Sequence, residues 1–373
     1  MRRLQWAALI VLILAMAGSG VLALRGTGTP QKNGDLTAND SPSASPSRGL
    51  VSPAASSMPS PSSSATPAPS SQPTTSRPTP TPTRAPAPPP PPAGPQFAGC
   101  PMFPASNIWN RDISSLPVNA RSAQWLANMG TGNLHPDFGA APYGYSYAIV
   151  DNSHPRVSLT FTYASESDPG PYPFGPDIPI EQGSDRHAFM LNRATCTLYE
   201  LFDASWNGGH PTAGSGAIFN LRSNALRPNG WTSADAAGLP MLPALVRWDE
   251  VRSGAIHHAL RFTTVLTDRS YLWPARHQAG SASNPALPPM GARFRLKASF
   301  SISRYSPQAQ VVLRAMEHYG MVLADNGSNW YFQGTQDAWP DSVLSELKTI
   351  PSSAFEAVDE SSLMIDPNSG AAH

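Results

Sequence analysis

Between Gly26 and Pro95 the chain contains no aromatic residue and is dominated by proline, serine, threonine and alanine, ending in the run Ala87–Ala93. A segment of that composition cannot bury enough apolar surface to offset the entropy of ordering it, so 26–95 is expected to stay extended and disordered, as a stalk. In polyproline geometry, at about 3.1 Å per residue, it would reach on the order of 200 Å, enough to hold a domain beyond a thick cell wall. Its Ser and Thr residues are open to O-glycosylation. Whatever folds must therefore follow it, in residues 96–360, with 361–373 expected as a flexible tail.

Ahead of the stalk, Met1, Arg2 and Arg3 precede an apolar run from Leu4 to Leu24 that is closed by Arg25. The length of 1–25 suits a membrane anchor with the arginines on the cytoplasmic side. A cleaved signal peptide, with Val21 and Ala23 as the small residues before the cut, is the competing reading. Both export the remainder, leaving it tethered at the cell surface or secreted.

The 373 residues carry no net formal charge, and only 13% are charged, so no basic footprint points to nucleic acid. The two cysteines, Cys100 and Cys196, both follow the stalk. In an oxidising compartment such a pair reads as a disulfide closing a loop of roughly a hundred residues.

Period-two patterning dominates the rest. Arg156–Ala164 alternates cleanly, with Val157, Leu159, Phe161 and Tyr163 against Ser158, Thr160 and Thr162, and a long Pro-containing loop follows from Glu166 to Gly183. Asp185–Trp206 is expected as a hairpin with His187 at its mouth. Gly254–Gly280 is expected as a second hairpin, its first limb through Leu260, Phe262 and Thr264 and its return through Tyr271–Trp273, with His258 and His277 near its open end. Arg293–Phe300 reads as a strand with Arg293, Arg295 and Lys297 on a solvated outer face. Asn326-Gly327-Ser328 marks a further hairpin between Met321–Asp325 and Asn329–Gln333. Short helices are expected over 119–129, 243–252 and 341–349. The best helix is Ser306–Tyr319, capped by Ser306 with Pro307 in its first turn. The sum is a mainly β domain, antiparallel and sandwich-like, with a few packed helices.

The strings Ser184-Asp185-Arg186-His187, Leu221-Arg222-Ser223-Asn224, Gly230 to Pro240 (GWTSADAAGLP), Trp273-Pro274-Ala275-Arg276-His277 and Ala324-Asp325-Asn326-Gly327 resemble those of a family of exported bacterial proteins that has no assigned activity. The resemblance spans nearly the whole domain and implies export. It supplies no mechanism. No P-loop, dinucleotide fingerprint, zincin helix or nucleophile elbow is present.

The chemistry that fits an exported, neutral, aromatic-bearing domain is action on an extracellular polysaccharide or cell-wall glycan. Hydrolysis needs two carboxyl groups across the scissile bond, for which Asp185, Glu200, Asp203, Asp235 and Asp325 are the candidates. A lyase would instead use His187, His258 or His277 as base, with Arg276 neutralising a uronate carboxylate. Trp231, Trp273 and Trp330 could stack on sugar rings, with Asn326 bonding hydroxyls. A non-catalytic glycan-binding surface module is the alternative. No cofactor is expected. A metal held by His187, His257, His258 and His277 is the weaker option, since no ligand spacing demands it and adjacent strand histidines face opposite sides.

Overall fold

The computed structural model describes residues 94–373; the expected anchor and all but the end of the expected stalk lie outside the described residues. Among the described residues, no helix is long and apolar enough to cross a membrane. The fold is mainly β, built on a six-stranded and a four-stranded sheet with a few short helices.

The four-stranded sheet runs in the order Ala148–Val150, Ala188–Asn192, Thr197–Phe202, Ser215–Asn220. Its centre is the expected hairpin, antiparallel with Ala188 opposite Leu201 and Phe189 opposite Glu200. Alternation sends Phe189, Leu191 and Leu198 into the principal core, and Ala188, Met190, Tyr199 and Leu201 into a second, smaller one. The loop after residue 166 roofs that smaller core with Tyr172, Phe174 and Ile178. Covered on both faces, Ala188–Asn192 is apolar at nearly every position, as a central strand must be. The turn between its limbs carries Cys196, which forms the disulfide with Cys100, the two Cα atoms 5.3 Å apart.

The larger sheet runs Phe355–Ala357, Arg293–Leu296, Met321–Asn326, Leu260–Thr264, Tyr331–Gln333, His135–Asp137. It is mixed rather than purely antiparallel. Leu260–Thr264 lies parallel to Met321–Asn326 and antiparallel to Tyr331–Gln333. The Gly254–Gly280 hairpin is therefore corrected: its first limb is a strand, but Tyr271 bridges Met290 instead of returning beside it. The Asn326-Gly327-Ser328 hairpin is corrected for the same reason. Both of its limbs exist, yet Leu260–Thr264 lies between them, because that apolar strand is buried only when it is flanked on both edges.

Other expectations shift as well. Of Arg156–Ala164 only Thr160–Phe161 is a strand, paired with Thr212–Ala213. Arg293 and Arg295 do not face solvent: Arg293 is buried against Glu360, and Arg295 pairs with Glu356 of the neighbouring strand. Helices occupy Ser122–Asn128, Trp248–Ser253, Pro307–His318 and Asp341–Leu347. Ser306 caps the longest of these, its hydroxyl accepting from the Ala309 amide. The segment 361–373 is no loose tail. Arg276 donates to the Pro367 carbonyl and to Asn368, Gly370 N bonds Asn224 O at 2.6 Å, and Ala372 N bonds Ser106 O at 2.8 Å.

Candidate functional site

The two sheets are stitched together by the loop Trp231–Leu242. Glu200, on the core-facing side of its strand, accepts from the amides of Met241 and Leu242 at 3.0 and 2.8 Å. Ser215 bonds the Ser233 carbonyl from the same sheet. From the other sheet, Ala324 O accepts from Ala237 N at 3.1 Å, and Asp325 Oδ2 from Ala236 N at 3.3 Å. Within the loop, Asp235 Oδ1 accepts from Ala237 N and Leu239 N at 2.9 and 3.1 Å. The small residues of Ser233-Ala234-Asp235-Ala236-Ala237-Gly238 permit this tight course, with Gly238 at φ 69°.

A cleft of about 380 Å³ opens over this loop, lined by Tyr163, Glu166, Asp185, Phe202, Asp235, His277, Asp325 and Asn326 among others. Asp325 reaches it through a register shift. Phe262 stands opposite Leu323, but Thr263 stands opposite Asp325, so Ala324 is the extra residue of a bulge. Bulges re-aim the side chain that follows, and here they break the alternation that would keep Asp325 on the core side with Leu323.

Behind the wall lies Arg261, fully buried, its Nη2 3.6 Å from Asp235 Oδ2 and 4.0 Å from Asp325 Oδ2, and its Nη1 3.2 Å from Gln333 Oε1. Burial pushes the Asp235 carboxyl up to about 6, against the pull of Arg261 and with the push of the Asp325 charge. Asp325 is raised by burial too, again opposed by Arg261. Glu200 is pushed up to about 7 by burial, with its two amide bonds opposing. Asp325 differs from the other two in access: its side chain is 28% exposed.

On the opposing elements, His277 and Glu166 form a pair at 3.7 Å, both partly exposed to the cleft. His277 Nδ1 meets Ala236 O at 2.8 Å, and Glu166 Oε2 accepts from Thr232 N at 3.2 Å. His187 sits on the inner side of the same loop, its Nε2 3.0 Å from Ala234 O and its Nδ1 2.6 Å from Glu181 Oε2. Burial raises the Glu181 carboxyl, but the His187 bond and charge outweigh it and hold Glu181 below its ordinary value.

The structure thus brings Asp185, His277, Asp325 and Asn326 to one cleft, with His187 directly behind it. It places the other candidates elsewhere. His258 is fully buried, bonded to Ala259 O and to Glu250, and takes no part in the cleft. Arg276 spends its guanidinium on Arg227 O, Pro367 O and Asn368. Asp203 is exposed outside the cleft lining, in a left-handed conformation at φ 48°. Trp330 is a core residue, stacked 5.7 Å from Phe262 with no exposed surface. Trp273 bonds Ser369 O at 2.8 Å, and Trp231 lies under the Arg227 guanidinium. Sequence reasoning missed Glu166, Tyr163 and Arg261. Arg261 did leave a signal: a cation in the otherwise apolar and hydroxylic strand Leu260–Thr264 must find carboxylates. Glu166, at the start of an irregular loop, left none.

Among the described residues no cluster of three or more His, Cys, Asp or Glu side chains could hold a metal ion. No protein family, curated protein or solved structure matches the chain.

Proposed function

We propose that the protein is an exported hydrolase of an extracellular or cell-wall polysaccharide, with Asp325 as the proton donor and Glu166 as the second carboxylate. The observation that carries this reading is Asp325 itself: a carboxyl group raised by burial yet open to a cleft that also holds Glu166. An acid that retains its proton above the ordinary carboxylate range can protonate the leaving glycosidic oxygen as its bond to the anomeric carbon breaks. Glu166, bonded by Thr232 N and beside His277, then takes the proton of the water that adds to that carbon. Tyr163 and Phe202 line the cleft and supply the aromatic surface on which a sugar would stack. The disulfide supports export to an oxidising compartment, where the expected anchor would keep the domain at the membrane surface.

Lyase chemistry has less support. It needs a cation for the uronate carboxylate, and Arg276, the expected one, is engaged away from the cleft. The purified protein, incubated with a panel of neutral, amino and acidic polysaccharides, is expected to release reducing ends without unsaturated products. Asp325→Asn and Glu166→Gln should each lower the rate by about 10²–10⁴-fold. Retention on an insoluble glycan without any cleavage would replace the hydrolase with a binding module. Ultraviolet-absorbing products would replace it with a lyase.

A further inference from the structure

A carbonyl oxygen can only accept, so the 2.8 Å contact between His277 Nδ1 and the Ala236 carbonyl places a proton on Nδ1. In the neutral ring Nε2 is then a bare acceptor, because the bond made by one imidazole nitrogen sets the state of the other. Nε2 lies 3.7 Å from Glu166 Oε2, beyond hydrogen-bond range, and both side chains are partly open to the cleft. His187 and His258 differ: each of their ring nitrogens already meets an oxygen, from Glu181 and Ala234 in the first and from Ala259 and Glu250 in the second. The two facing groups are also held in place. His277 N donates to Ala237 O at 3.1 Å, Glu166 Oε2 accepts from Thr232 N, and the Glu166 carbonyl accepts from Arg227.

Two fixed acceptors at that separation, with no donor between them, are spanned by a single water bonded at about 2.8 Å to each. We propose that His277 is the positioning residue for the hydrolytic water, its neutral imidazole accepting one hydrogen at Nε2 while Glu166 accepts the other. The inference rests on the hydrolase reading. In the step it serves, the Asp325 proton goes to the glycosidic oxygen, which keeps the electron pair of the breaking bond to the anomeric carbon. A lone pair of the water forms the new bond to that carbon, and the proton the water sheds goes to Glu166; His277 ends unchanged. A proton on Nε2 turns the acceptor into a donor paired with Glu166, which displaces the water and occupies the base, so turnover is lost on the acid side. Asp185, Asp235, Asp325 and Tyr163 share the cleft with the pair, and His187 stands behind its loop. Arg276 and Arg227 turn their guanidinium groups to backbone carbonyls, Asn368 and Asp168.

The test joins nitrogen NMR of the histidine rings in the intact protein to pH profiles of turnover on whichever glycan it cleaves. The His277 signals, assigned by their disappearance in His277→Gln, are expected to show the neutral ring protonated on Nδ1 and bare on Nε2. The acid limb of kcat should coincide with the pH at which those signals titrate. His277→Gln keeps an acceptor near the position of Nε2 that takes no proton, so its acid limb should move to lower pH. His277→Leu keeps none and should lose about 10²-fold in kcat with KM little changed. A neutral ring protonated on Nε2, an acid limb that stays in place in His277→Gln, or a His277→Leu variant as fast as the parent would overturn the inference. Melting temperatures that fall in both variants while the acid limb stays would reduce His277 to a structural role. Turnover indifferent to His277 sinks this inference and leaves the hydrolase standing, whereas a parent protein that releases no reducing ends from any glycan sinks the hydrolase and the water's role with it.

Discussion

Nη2 of Arg261 stands 3.6 Å from Oδ2 of Asp235, and both side chains are shut away from water. One residue belongs to the central strand of the larger sheet and the other to the loop that joins the two sheets, so this ion pair helps tie the wall of the cleft to the core.

Removing that cation should therefore cost stability in a pH-dependent way. Arg261→Met leaves Asp235 buried with no counter-charge and takes from Asp325 its strongest one, raising both carboxyls further. A raised folded-state value means the cost is absent below the unfolded carboxylate value and grows as pH climbs through the folded one. Urea denaturation should show a loss of about 3–5 kcal/mol near pH 8 and far less near pH 4. An equal loss at both would mean the guanidinium acts only by packing.

Glu200 faces the core opposite Phe189 and titrates near 7 instead of its ordinary 4.5. Below pH 4.5 it is neutral in both folded and unfolded chains and costs nothing; as pH rises from there toward 7 the unfolded chain ionises while the folded one keeps its proton, so stability falls. Glu200→Gln keeps a carbonyl acceptor for Met241 N and Leu242 N. The variant should gain about 3 kcal/mol on the parent protein between pH 4.5 and 8, measured as the difference in unfolding free energy. A constant difference across that window would show that Glu200 does not titrate there.

Gly238 holds φ 69°, and a Cβ on it would overlap the Trp231 carbonyl oxygen and crowd the Arg276 side chain. Gly238→Ala should lower stability by at least about 1–3 kcal/mol and disturb the loop that carries Asp235, lowering both melting temperature and turnover. Unchanged turnover in a destabilised variant would separate the loop from the chemistry.

The disulfide spans 96 residues and joins the start of the domain to the centre of the smaller sheet. The double variant Cys100→Ala, Cys196→Ala should lose about 4 kcal/mol, and reductant should do the same to the parent protein. A reductant-insensitive unfolding curve would show that the bridge constrains nothing the rest of the fold does not.

What the sequence disclosed about this fold follows from the range of the interactions involved. The Ala188–Asn192 and Thr197–Phe202 hairpin is legible because its pairing is local and its turn is short. Leu260–Thr264 is legible as a strand, but its neighbours are not, since its partners come from residues 321–326 and 331–333 and any apolar strand edge would accept it. Arg293 and Arg295 look solvated in sequence because Glu360 and Glu356, which pair with them, lie some sixty residues further on. The cleft shows the same divide. Asp185, His277, Asp325 and Asn326 stand in distinctive polar strings near turns, whereas Glu166 is a lone acid in a loop, held in place by His277 and Thr232 from distant segments.

The larger sheet has His135–Asp137 along one edge and Phe355–Ala357 along the other, and Leu260–Thr264 is enclosed by strands that follow it in the chain. A ribosome or translocon delivering this domain from its N-terminal end therefore presents an open, apolar Leu260 edge until residues 321–333 have emerged. During that interval the nascent chain is a template for foreign strands. Successful maturation then depends on how fast residues 265–333 arrive, and slow delivery of that stretch should favour aggregation even though the finished protein has its central strands covered.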